Sequence, residues 1–420
     1  MSTTRRVFLQ AALAGGALAS LAGTARAIER SAASAPRRKG LSILILGGTN
    51  FIGPHIVDAA KARGHTVTLF NRGITETRKQ TPVDGVEKLV GDRDPTKGEG
   101  LKALEGKKFD AVVDTSGFVP RIVKASAELL APNVKHYIFI SSLSVYSDNS
   151  KPGKDESDTL GTMADPTVEE MGAQFENYGP LKVLCEQAAE KAMPGRVANI
   201  RPGYIVGPGD GSDRFSYWPI RATRGGEMLA PGRPEDPLQV IDARDLAAWI
   251  ILCIENKTVG EFNATGPATT LAWGEALAAC VNASSTPPKP TLVWIPADFL
   301  AANGLPAGEL PIWLPGGVGG EGEHAGFHTR SVKKAVAAGL TFRPIQTICN
   351  DLVAWWPKEV ERRQRVTKEM MEKAEKEGAP KPNMPEPSKL RAGIDPEREA
   401  SLIKAWTERD KAPPDSEQRK

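Results

Sequence analysis

The hydrophobic pattern from residue 41 onward predicts the opening of a layered α/β fold. Residues 41–46 (LSILIL) form a short, almost continuous apolar run, as in a parallel strand that is buried on both faces. A helical pattern follows through Lys61, and Gly64 is the residue type that most often ends a helix. A second strand is predicted at residues 66–70. This succession is typical of the first half of a Rossmann-type, doubly wound parallel sheet.

A glycine-rich turn joins the first predicted strand to its helix and reads GGTNFIG over residues 47–53. Gly47 permits a tight turn, and Gly53 allows the helix and the strand to pack closely. The N-terminus of the helix attracts a pyrophosphate. Because strand, turn, helix and strand all agree, we predict a dinucleotide site rather than a glycine turn without a ligand.

Tyr178 and Lys182 are the residues that point most directly to a reaction. Their spacing places a phenol and an ammonium one helical turn apart on the same face. A phenol has a pKa of about 10, and a nearby cation moves that pKa toward neutral. Ser141 and Ser142 lie upstream, and a serine hydroxyl could hold a substrate oxygen beside the phenol. Such a set suits removal of a proton from an alcohol as its hydride departs, although the spacing alone also occurs by chance.

Taken together, these motifs resemble the extended short-chain dehydrogenase/reductases, in the NAD-dependent epimerase/dehydratase group. The resemblance extends over residues 41–350. Its motifs occur in the family's order, and they are the cofactor loop at 47–53, Gly91 and Asp92, the strand and turn at 109–117, the strand at 137–146, Tyr178 and Lys182, and the strand and loop at 201–209.

The resemblance implies a role for each matched residue. Tyr178 would be the acid/base, Ser142 would bind the substrate oxygen, and Lys182 would bind the nicotinamide ribose and lower the tyrosine pKa. The implied cofactor-binding residues are Gly47, Gly48, Thr49, Asn50, Phe51, Ile52, Gly53, Asn71, Arg72, Asp92, Thr115, Ser116, Gly117, Lys182 and Pro202. The candidate substrate residues are Tyr204, Arg233 and His324. A smaller C-terminal α/β lobe would complete the fold.

Two departures from the family pattern concern the cofactor. Asn50 stands at the middle glycine of the family's Gly-x-x-Gly-x-x-Gly, where asparagine tolerates a left-handed backbone but its side chain must find room near the phosphates. The second strand ends in Asn71 and Arg72, without an acidic residue for a ribose 2′-hydroxyl. Arg72 could accept a 2′-phosphate instead, so NAD and NADP both stay open, with NADP favoured.

A third departure concerns the substrate. Leu238 stands where related nucleotide-sugar epimerases carry an arginine for the diphosphate. Arg233, Arg214 or Arg221 could replace it, or could be solvated loop cations. A nucleotide diphosphate substrate is therefore disfavoured. The glycine-rich loop at 305–327, which contains His324, is predicted either as a lid over the site or as a surface excursion.

The first residues predict export. Residues 4–9 (TRRVFL) resemble a twin-arginine signal, and Ala25-Arg26-Ala27 provides a cleavage site after a mildly apolar stretch that is too short for a stable membrane anchor. We expect the twin-arginine machinery to deliver a folded protein to the periplasm or another extracytoplasmic space. Because free NAD(P) is scarce there, we expect a retained cofactor that is restored within each catalytic cycle.

Composition adds few constraints. The 54 basic and 51 acidic residues give a net charge of +3, which offers no basis for nucleic-acid binding. The histidines form no metal-binding pattern, and the four widely spaced cysteines favour buried thiols, with disulfide pairing left open.

The predicted segments are a signal peptide at 1–27, a linker at 28–40, the NAD(P)-binding domain with the catalytic residues at 41–268, a substrate lobe at 269–356 interleaved with parts of 201–245, and a charged helical tail at 357–420.

We therefore predict an NAD(P)-dependent epimerase or oxidoreductase that acts on a hydroxylated small molecule, such as a sugar or glycoside, by hydride transfer. Two alternatives stay open, an NADPH-dependent reductase of the atypical type and a dinucleotide-fold binding protein without catalysis. The sequence also leaves a homodimer open.

Overall fold

The predicted apolar runs pair into one seven-stranded parallel sheet in the computed structural model, which describes residues 40–316 and 322–409. Its strands are β1 (Ser42–Leu46), β2 (Thr66–Asn71), β3 (Glu87–Val90), β4 (Phe109–Asp114), β5 (Val134–Ile140), β6 (Val197–Pro202) and β11 (Gly260–Ala264). The order across the sheet is β11-β6-β5-β4-β1-β2-β3. The winding direction changes between β1 and β4, where a doubly wound sheet opens a crevice. The predicted Rossmann-type fold is confirmed.

Helices cover both faces of this sheet. They are α1 (Ile52–Ala62), α2 (Ile74–Lys79), α3 (Pro120–Leu130), α4 (Tyr178–Ala192) and α6 (Ala243–Asn256). Side chains of β1 pack alternately against the helices on the two faces of the sheet, because successive residues of a strand point to opposite faces. Ile43 and Ile45 belong to the core with α1 and α6, whereas Leu44 and Leu46 belong to the core with α3 and α4.

The elements that follow β6 build most of a second core. They are β7 (Tyr204–Val206), α5 (Tyr217–Ala222), β8 (Glu227–Pro231), β9 (Pro237–Leu238), β10 (Val240–Asp242), β12 (Leu271–Ala272), α7 (Trp273–Ala283), β13 (Thr291–Ile295), α8 (Ala297–Ala302), α10 (Ile345–Lys376) and α11 (Pro396–Glu408). In contrast, α9 (Lys333–Ala337) packs beside β11, and its Ala335 belongs to the core with α1 and α6. Three two-stranded pairings, β7 with β10, β8 with β13 and β9 with β12, frame the second core. At its centre the rings of Trp218 and Trp273 meet edge to face, with centroids 5.0 Å apart.

Two segments differ from the sequence-based expectation. In the described part of the loop at 305–327, Leu310, Ile312 and Trp313 are buried in the second core, so this stretch is not a surface excursion. The predicted boundary at residue 357 falls inside α10, so the charged tail continues an element of the body. As expected, α11 packs onto that body through Leu402 and Ile403.

Three further expectations concern export, the membrane and the cysteines. The predicted signal peptide, and the linker except for residue 40, lie outside the described residues. No helix of the described ranges is long and apolar enough to cross a bilayer. The four cysteines are buried and free, and the Sγ atoms of Cys280 and Cys349 lie 3.6 Å apart.

Candidate functional site

A cavity of about 950 Å³ opens at the carboxyl ends of β1, β2, β4, β5 and β6. It brings together most of the site residues predicted from the sequence. Those that line it are Gly47, Gly48, Thr49, Asn50, Phe51, Ile52, Asn71, Arg72, Asp92, Thr115, Ser116, Ser142, Tyr178, Lys182, Pro202 and Tyr204. Such a crevice at the switch point of the sheet is where ligands of doubly wound folds bind.

The glycine turn has the geometry that the motif predicts. Gly47 and Gly48 adopt φ angles of +98° and +81°, which side chains rarely tolerate. A Cβ on Gly53 would lie 2.4 Å from the backbone of Gly48, so only glycine allows α1 to approach β1 this closely. Gly53 therefore does not line the cavity and acts through packing instead.

Asn50 does not use the left-handed tolerance that was expected of it. Among the non-glycine residues of the turn, the positive φ, +41°, falls on Phe51, which precedes the first residue of α1. The Asn50 side chain is held by Lys79, whose ammonium donates a hydrogen bond to Oδ1 at 2.5 Å. This contact gives the side chain that replaces the family's glycine a fixed position.

Lys182 reaches the cavity from the first turns of α4 and is only 2% exposed. Its ammonium donates hydrogen bonds to the carbonyl oxygens of Gly117 at 2.7 Å and Ile140 at 2.8 Å. The ammonium also lies 4.6 Å from the ring centroid of Phe118. Burial lowers the pKa of Lys182 to about 8. The group is therefore still a cation at pH 7, and its carbonyl bonds orient it in the cavity.

Tyr178 is the first residue of α4 and lies beside the turn that carries Ser142. The Oγ of Ser142 accepts a hydrogen bond from the Ser144 amide at 3.1 Å, which fixes the serine at the start of a short 3₁₀ turn. Gly179 makes this approach possible, because a Cβ there would lie 2.0 Å from the Ser144 carbonyl oxygen. Because the backbones of α4 and the Ser142 turn pack this closely, the Tyr178 phenol and the Ser142 hydroxyl line the same cavity.

The direction of the Tyr178 pKa differs from the expectation drawn from its lysine neighbour. Burial raises the pKa of Tyr178, and the groups that oppose this rise are the Ser142 hydroxyl and the Arg214 guanidinium. Lys182 is not among the groups that shift the pKa of this phenol, and its ammonium donates to two backbone carbonyls. The expected lowering is therefore corrected for the protein by itself, and the phenol is protonated at neutral pH.

Arg93 is a cavity residue that sequence analysis missed, although it directly follows the predicted Asp92. Its guanidinium makes a bidentate pair with the buried carboxylate of Asp114 at 2.6 and 2.7 Å. Asp114 also accepts a hydrogen bond from the Ser116 amide at 3.1 Å, so the ion pair fixes the turn after β4. A buried acid at the end of an apolar strand is a signal that could have suggested a cationic partner.

Apolar, aromatic and cationic side chains from other segments complete the wall, and of these the sequence analysis considered only Arg214 for the site. They are Phe118, Met171, Phe175, Arg214 and Phe327. Tyr204 packs against Phe327 with ring centroids 5.4 Å apart. These residues come from separate loops, which sequence spacing does not connect.

Besides Gly53, three candidate residues do not line the cavity. Gly117 acts through its carbonyl and through packing, because a Cβ there would lie 2.4 Å from the Phe139 ring. Arg233 interacts with Asp236, with Nη2 and Oδ1 3.3 Å apart. His324 is also outside the lining, and its neighbour Phe327 takes the wall position.

The two other arginines considered for the substrate lie in different parts of the structure. Arg214 lines the cavity, whereas Arg221 is buried against Glu399, with Nε and Oε2 2.5 Å apart.

His328, from the same loop as His324, is buried and accepts a hydrogen bond from the Gln239 amide. Burial lowers the pKa of His328 to about 4, so it is neutral and structural. Among the described residues, no cluster of His, Cys, Asp and Glu could hold a metal ion.

Comparison with known proteins agrees with this geometry. The family model of the NAD dependent epimerase/dehydratase family matches residues 43–264, which contain the glycine turn, Ser142, Tyr178 and Lys182. This protein belongs to the NAD dependent epimerase/dehydratase family. It is therefore a member of a family of nicotinamide-dependent enzymes.

Relatives of this family member are distant. It is 28% identical over 273 residues to a chloroplast stem-loop binding protein of 41 kDa from Arabidopsis thaliana, with 61% of this chain and 67% of the relative covered. The fold is similar to that of the Bordetella bronchiseptica enzyme WbmH, solved with NAD⁺, at 16% identity and a TM-score of 0.53 over 76% of this chain and 99% of that one. It is also similar to UDP-N-acetylglucosamine 4-epimerase from Bacillus cereus, at 16% identity and a TM-score of 0.52 over 75% and 99%.

Proposed function

We propose that this family member transfers hydride between a hydroxylated small molecule and a bound nicotinamide cofactor, with Tyr178 as the acid/base. The observation that carries the proposal is that Tyr178, Ser142 and Lys182 share one cavity with the glycine turn. A sugar or glycoside is the proposed substrate class, because one wall of the cavity is aromatic and its catalytic end presents hydroxyl groups.

The residues of the cavity fit a dinucleotide. The turn at Gly47 and Gly48 and the N-terminus of α1 form a cradle for a pyrophosphate. The buried polar atoms that lack a protein partner among the described residues include Nδ2 of Asn71 at the end of β2 and Oγ of Ser141 at the end of β5. Both residues line the cavity, so a polar ligand there would satisfy groups that are costly to leave unpaired.

Lys182 is suited to bind the nicotinamide ribose. An ammonium has three N–H donors, and the carbonyls of Gly117 and Ile140 occupy two of them. The third donor is available for a ribose hydroxyl. Arg72, which lines the cavity at the end of β2 and is exposed, is proposed to meet a 2′-phosphate, and this favours NADP.

The proposed chemistry follows from the protonation states of the side chains. A nicotinamide held in this cavity would supply the hydride acceptor and, in its reduced form, the hydride donor. Ser142 holds the substrate oxygen, and the hydroxyl proton passes to the Tyr178 phenolate as the C–H bond breaks. Because burial raises the pKa of Tyr178, the resting phenol carries a proton. Substrate oxidation should therefore accelerate as the pH rises toward the pKa of the phenol, whereas reduction, which uses the protonated phenol, should stay constant across the neutral range.

We also propose that the cofactor stays bound between turnovers. The support is the twin-arginine sequence at residues 4–9, which fits export of a folded protein to a compartment with little free NAD(P). Under this proposal an epimerase, or an oxidoreductase that alternates two substrates, restores its cofactor in every cycle. An NADPH-dependent reductase of the atypical type would instead need cytoplasmic cofactor, so cell fractionation separates the two.

The test begins with the purified full-length protein. Acid extraction and absorbance measure the bound nicotinamide, and incubation with a panel of sugars is followed at the absorbance of the reduced ring. We expect stoichiometric cofactor and transient reduction by at least one sugar. Tyr178→Phe should retain the cofactor and lose about 10²- to 10⁴-fold in hydride transfer, the usual contribution of a general acid or base.

Two variants sharpen the test. Tyr217→Phe removes a phenol from the second core, outside the cavity, and should keep the hydride-transfer rate. Lys182→Ala should weaken both cofactor retention and transfer, because it removes the ribose donor. Unchanged transfer in Tyr178→Phe would refute the assigned acid/base.

The Arabidopsis relative suggests the alternative of a dinucleotide-fold binding protein without catalysis. The net charge of +3 and the presence of Ser142, Tyr178 and Lys182 in one cavity weigh against it. Bound RNA with no transfer to any substrate of the panel would support that alternative instead.

A further inference from the structure

A second cavity, of about 610 Å³, lies on the other side of the cofactor turn. It shares Thr49, Asn50 and Phe51 with the candidate active site. Its opposite wall comes from α10 and from the segment that precedes α11, both beyond the residues that the family model matches. This C-terminal part of the chain therefore encloses a space that the dinucleotide fold does not supply by itself.

One end of this second cavity is rich in positive charge. Five cationic and two acidic residues line it, and they are Arg78, Lys79, Arg362, Arg363, Arg391, Glu359 and Glu386. Glu359 is already engaged, since it pairs with both Arg362 and Arg363 at 2.6 and 2.8 Å.

The remaining cations have no carboxylate partner within the described ranges. Lys79 donates to the amide oxygen of Asn50, and Arg391 donates to the carbonyl of Gly211 at 2.6 Å. No salt bridge forms to Arg78, Lys79 or Arg391 among the residues that the structure describes. The cavity thus has an excess of positive charge that protein carboxylates do not compensate.

These cations converge on one region of space. A Cβ on Gly211 would lie 3.8 Å from the Lys79 ammonium and 3.8 Å from Nη1 of Arg391. Burial lowers the pKa of Lys79, and repulsion from Arg362, Arg78 and Arg391 adds to this effect. A group placed between these cations would relieve their mutual repulsion if it were an anion.

The rest of the lining is apolar. It includes Phe51, Pro54, Pro82, Trp355, Val366, Met370, Met384 and Pro385. Methionine and proline side chains on an aromatic floor suit a hydrocarbon or aromatic group. One cavity therefore combines a cationic end with an apolar wall.

We infer that the second cavity binds a small organic phosphate, with its phosphate between Lys79, Arg78 and Arg391 and its apolar group against Trp355. Three uncompensated cations match the charge of a phosphate monoester, which is close to −2 at neutral pH. The site is separate from the dinucleotide cavity, and the inference does not depend on the proposed reaction. Asn50 connects the two sites, because it lines both and accepts the hydrogen bond from Lys79.

The test uses phenyl phosphate as the probe on the full-length protein, with the dinucleotide cavity saturated by NADP⁺. Titration calorimetry and the fluorescence of Trp355 should report saturable binding of one phenyl phosphate per chain. Phenol has only the apolar group and inorganic phosphate has only the anion, so each should bind at least tenfold more weakly than phenyl phosphate. Lys79→Gln and Arg391→Gln should each weaken phenyl phosphate binding about tenfold, or about 1.4 kcal/mol.

Two variants locate the binding. Lys124→Gln removes a solvent-facing cation from α3 and should leave phenyl phosphate binding unchanged. Arg72→Gln removes the cation at the dinucleotide cavity and should also leave it unchanged. The inference is overturned if phenyl phosphate does not saturate, if phenol binds equally well, or if Arg72→Gln abolishes binding while Lys79→Gln does not.

Discussion

Gly179 provides a sharp test of how the active site is built, because it lies in the first turn of α4, directly after Tyr178 and three residues before Lys182. A Cβ at this position would lie 2.0 Å from the carbonyl oxygen of Ser144, whereas ordinary contacts begin at 3.4 Å. The φ of Gly179 is not positive, so space rather than backbone strain requires glycine. In Gly179→Ala the start of α4 and the Ser142 turn must separate by about 1.4 Å, the difference between these two distances.

This displacement has two measurable consequences. Overpacking of this kind costs about 1–3 kcal/mol, which urea denaturation would detect as a lower unfolding midpoint. A displacement of about 1 Å at a reacting group costs about 10²-fold in rate, so hydride transfer to the substrate found in the sugar panel should fall by that factor. Cofactor content should change little, because Lys182 keeps its backbone partners on β5 and after β4.

Gly161→Ala is a matched control in the same neighbourhood. A Cβ there would lie 3.5 Å from Pro180 and 3.5 Å from the Val145 carbonyl oxygen, both ordinary contacts. We expect a change within about 0.5 kcal/mol in stability, as for substitutions away from tight packing, and an unchanged rate. If Gly179→Ala unfolds at the wild-type urea concentration and transfers hydride at the wild-type rate, the inferred contact between α4 and the Ser142 turn is wrong.

Three further predictions concern charge. The pKa of Lys182 is about 8 in the folded protein and 10.5 in the reference state, so the unfolded chain binds more protons between these two pH values. The free energy of unfolding of wild type relative to Lys182→Met should therefore rise by about 1.4 kcal/mol per pH unit across that window. A flat or falling difference in urea unfolding would contradict this. Arg72→Gln should weaken NADP⁺ binding about tenfold with little effect on NAD⁺, measured by calorimetry, and equal losses for both would remove the proposed 2′-phosphate contact. Glu399→Gln breaks the buried pair with Arg221 and should destabilise the protein by about 3–5 kcal/mol in thermal or urea unfolding. Exposed Glu397→Gln on the same helix is its control, and equal stability of the two variants would show that α11 is not part of the folding unit.

Local sequence was sufficient wherever a motif depends on neighbours in the chain. The apolar run of β1, the glycines at 47, 48 and 53, and the helix that follows were predicted from spacing alone, because strand burial and tight turns impose residue types over a few positions. Tyr178 and Lys182 were predicted as one helical turn apart, and α4 begins at Tyr178. The family resemblance then placed Ser142 with them, and the structure brings all three to one cavity.

Contacts between distant segments decided what spacing could not. Arg93, in the loop after β3, forms its ion pair with Asp114 at the end of β4, and Arg233 and His324 lie outside the cavity because their loops pack elsewhere. The direction of the Tyr178 pKa is also a tertiary property, since desolvation depends on every element that covers the phenol.

The two cavities illustrate the same division. Sequence determined that this chain builds a dinucleotide crevice, because a strand, a glycine turn and a helix N-terminus are contiguous and their chemistry is local. Only the tertiary structure placed Lys79 and Arg391, more than 300 residues apart, around a common space beside that crevice. Charges that are solvated in an extended chain acquire a shared partner only when folding brings them together and removes part of their water.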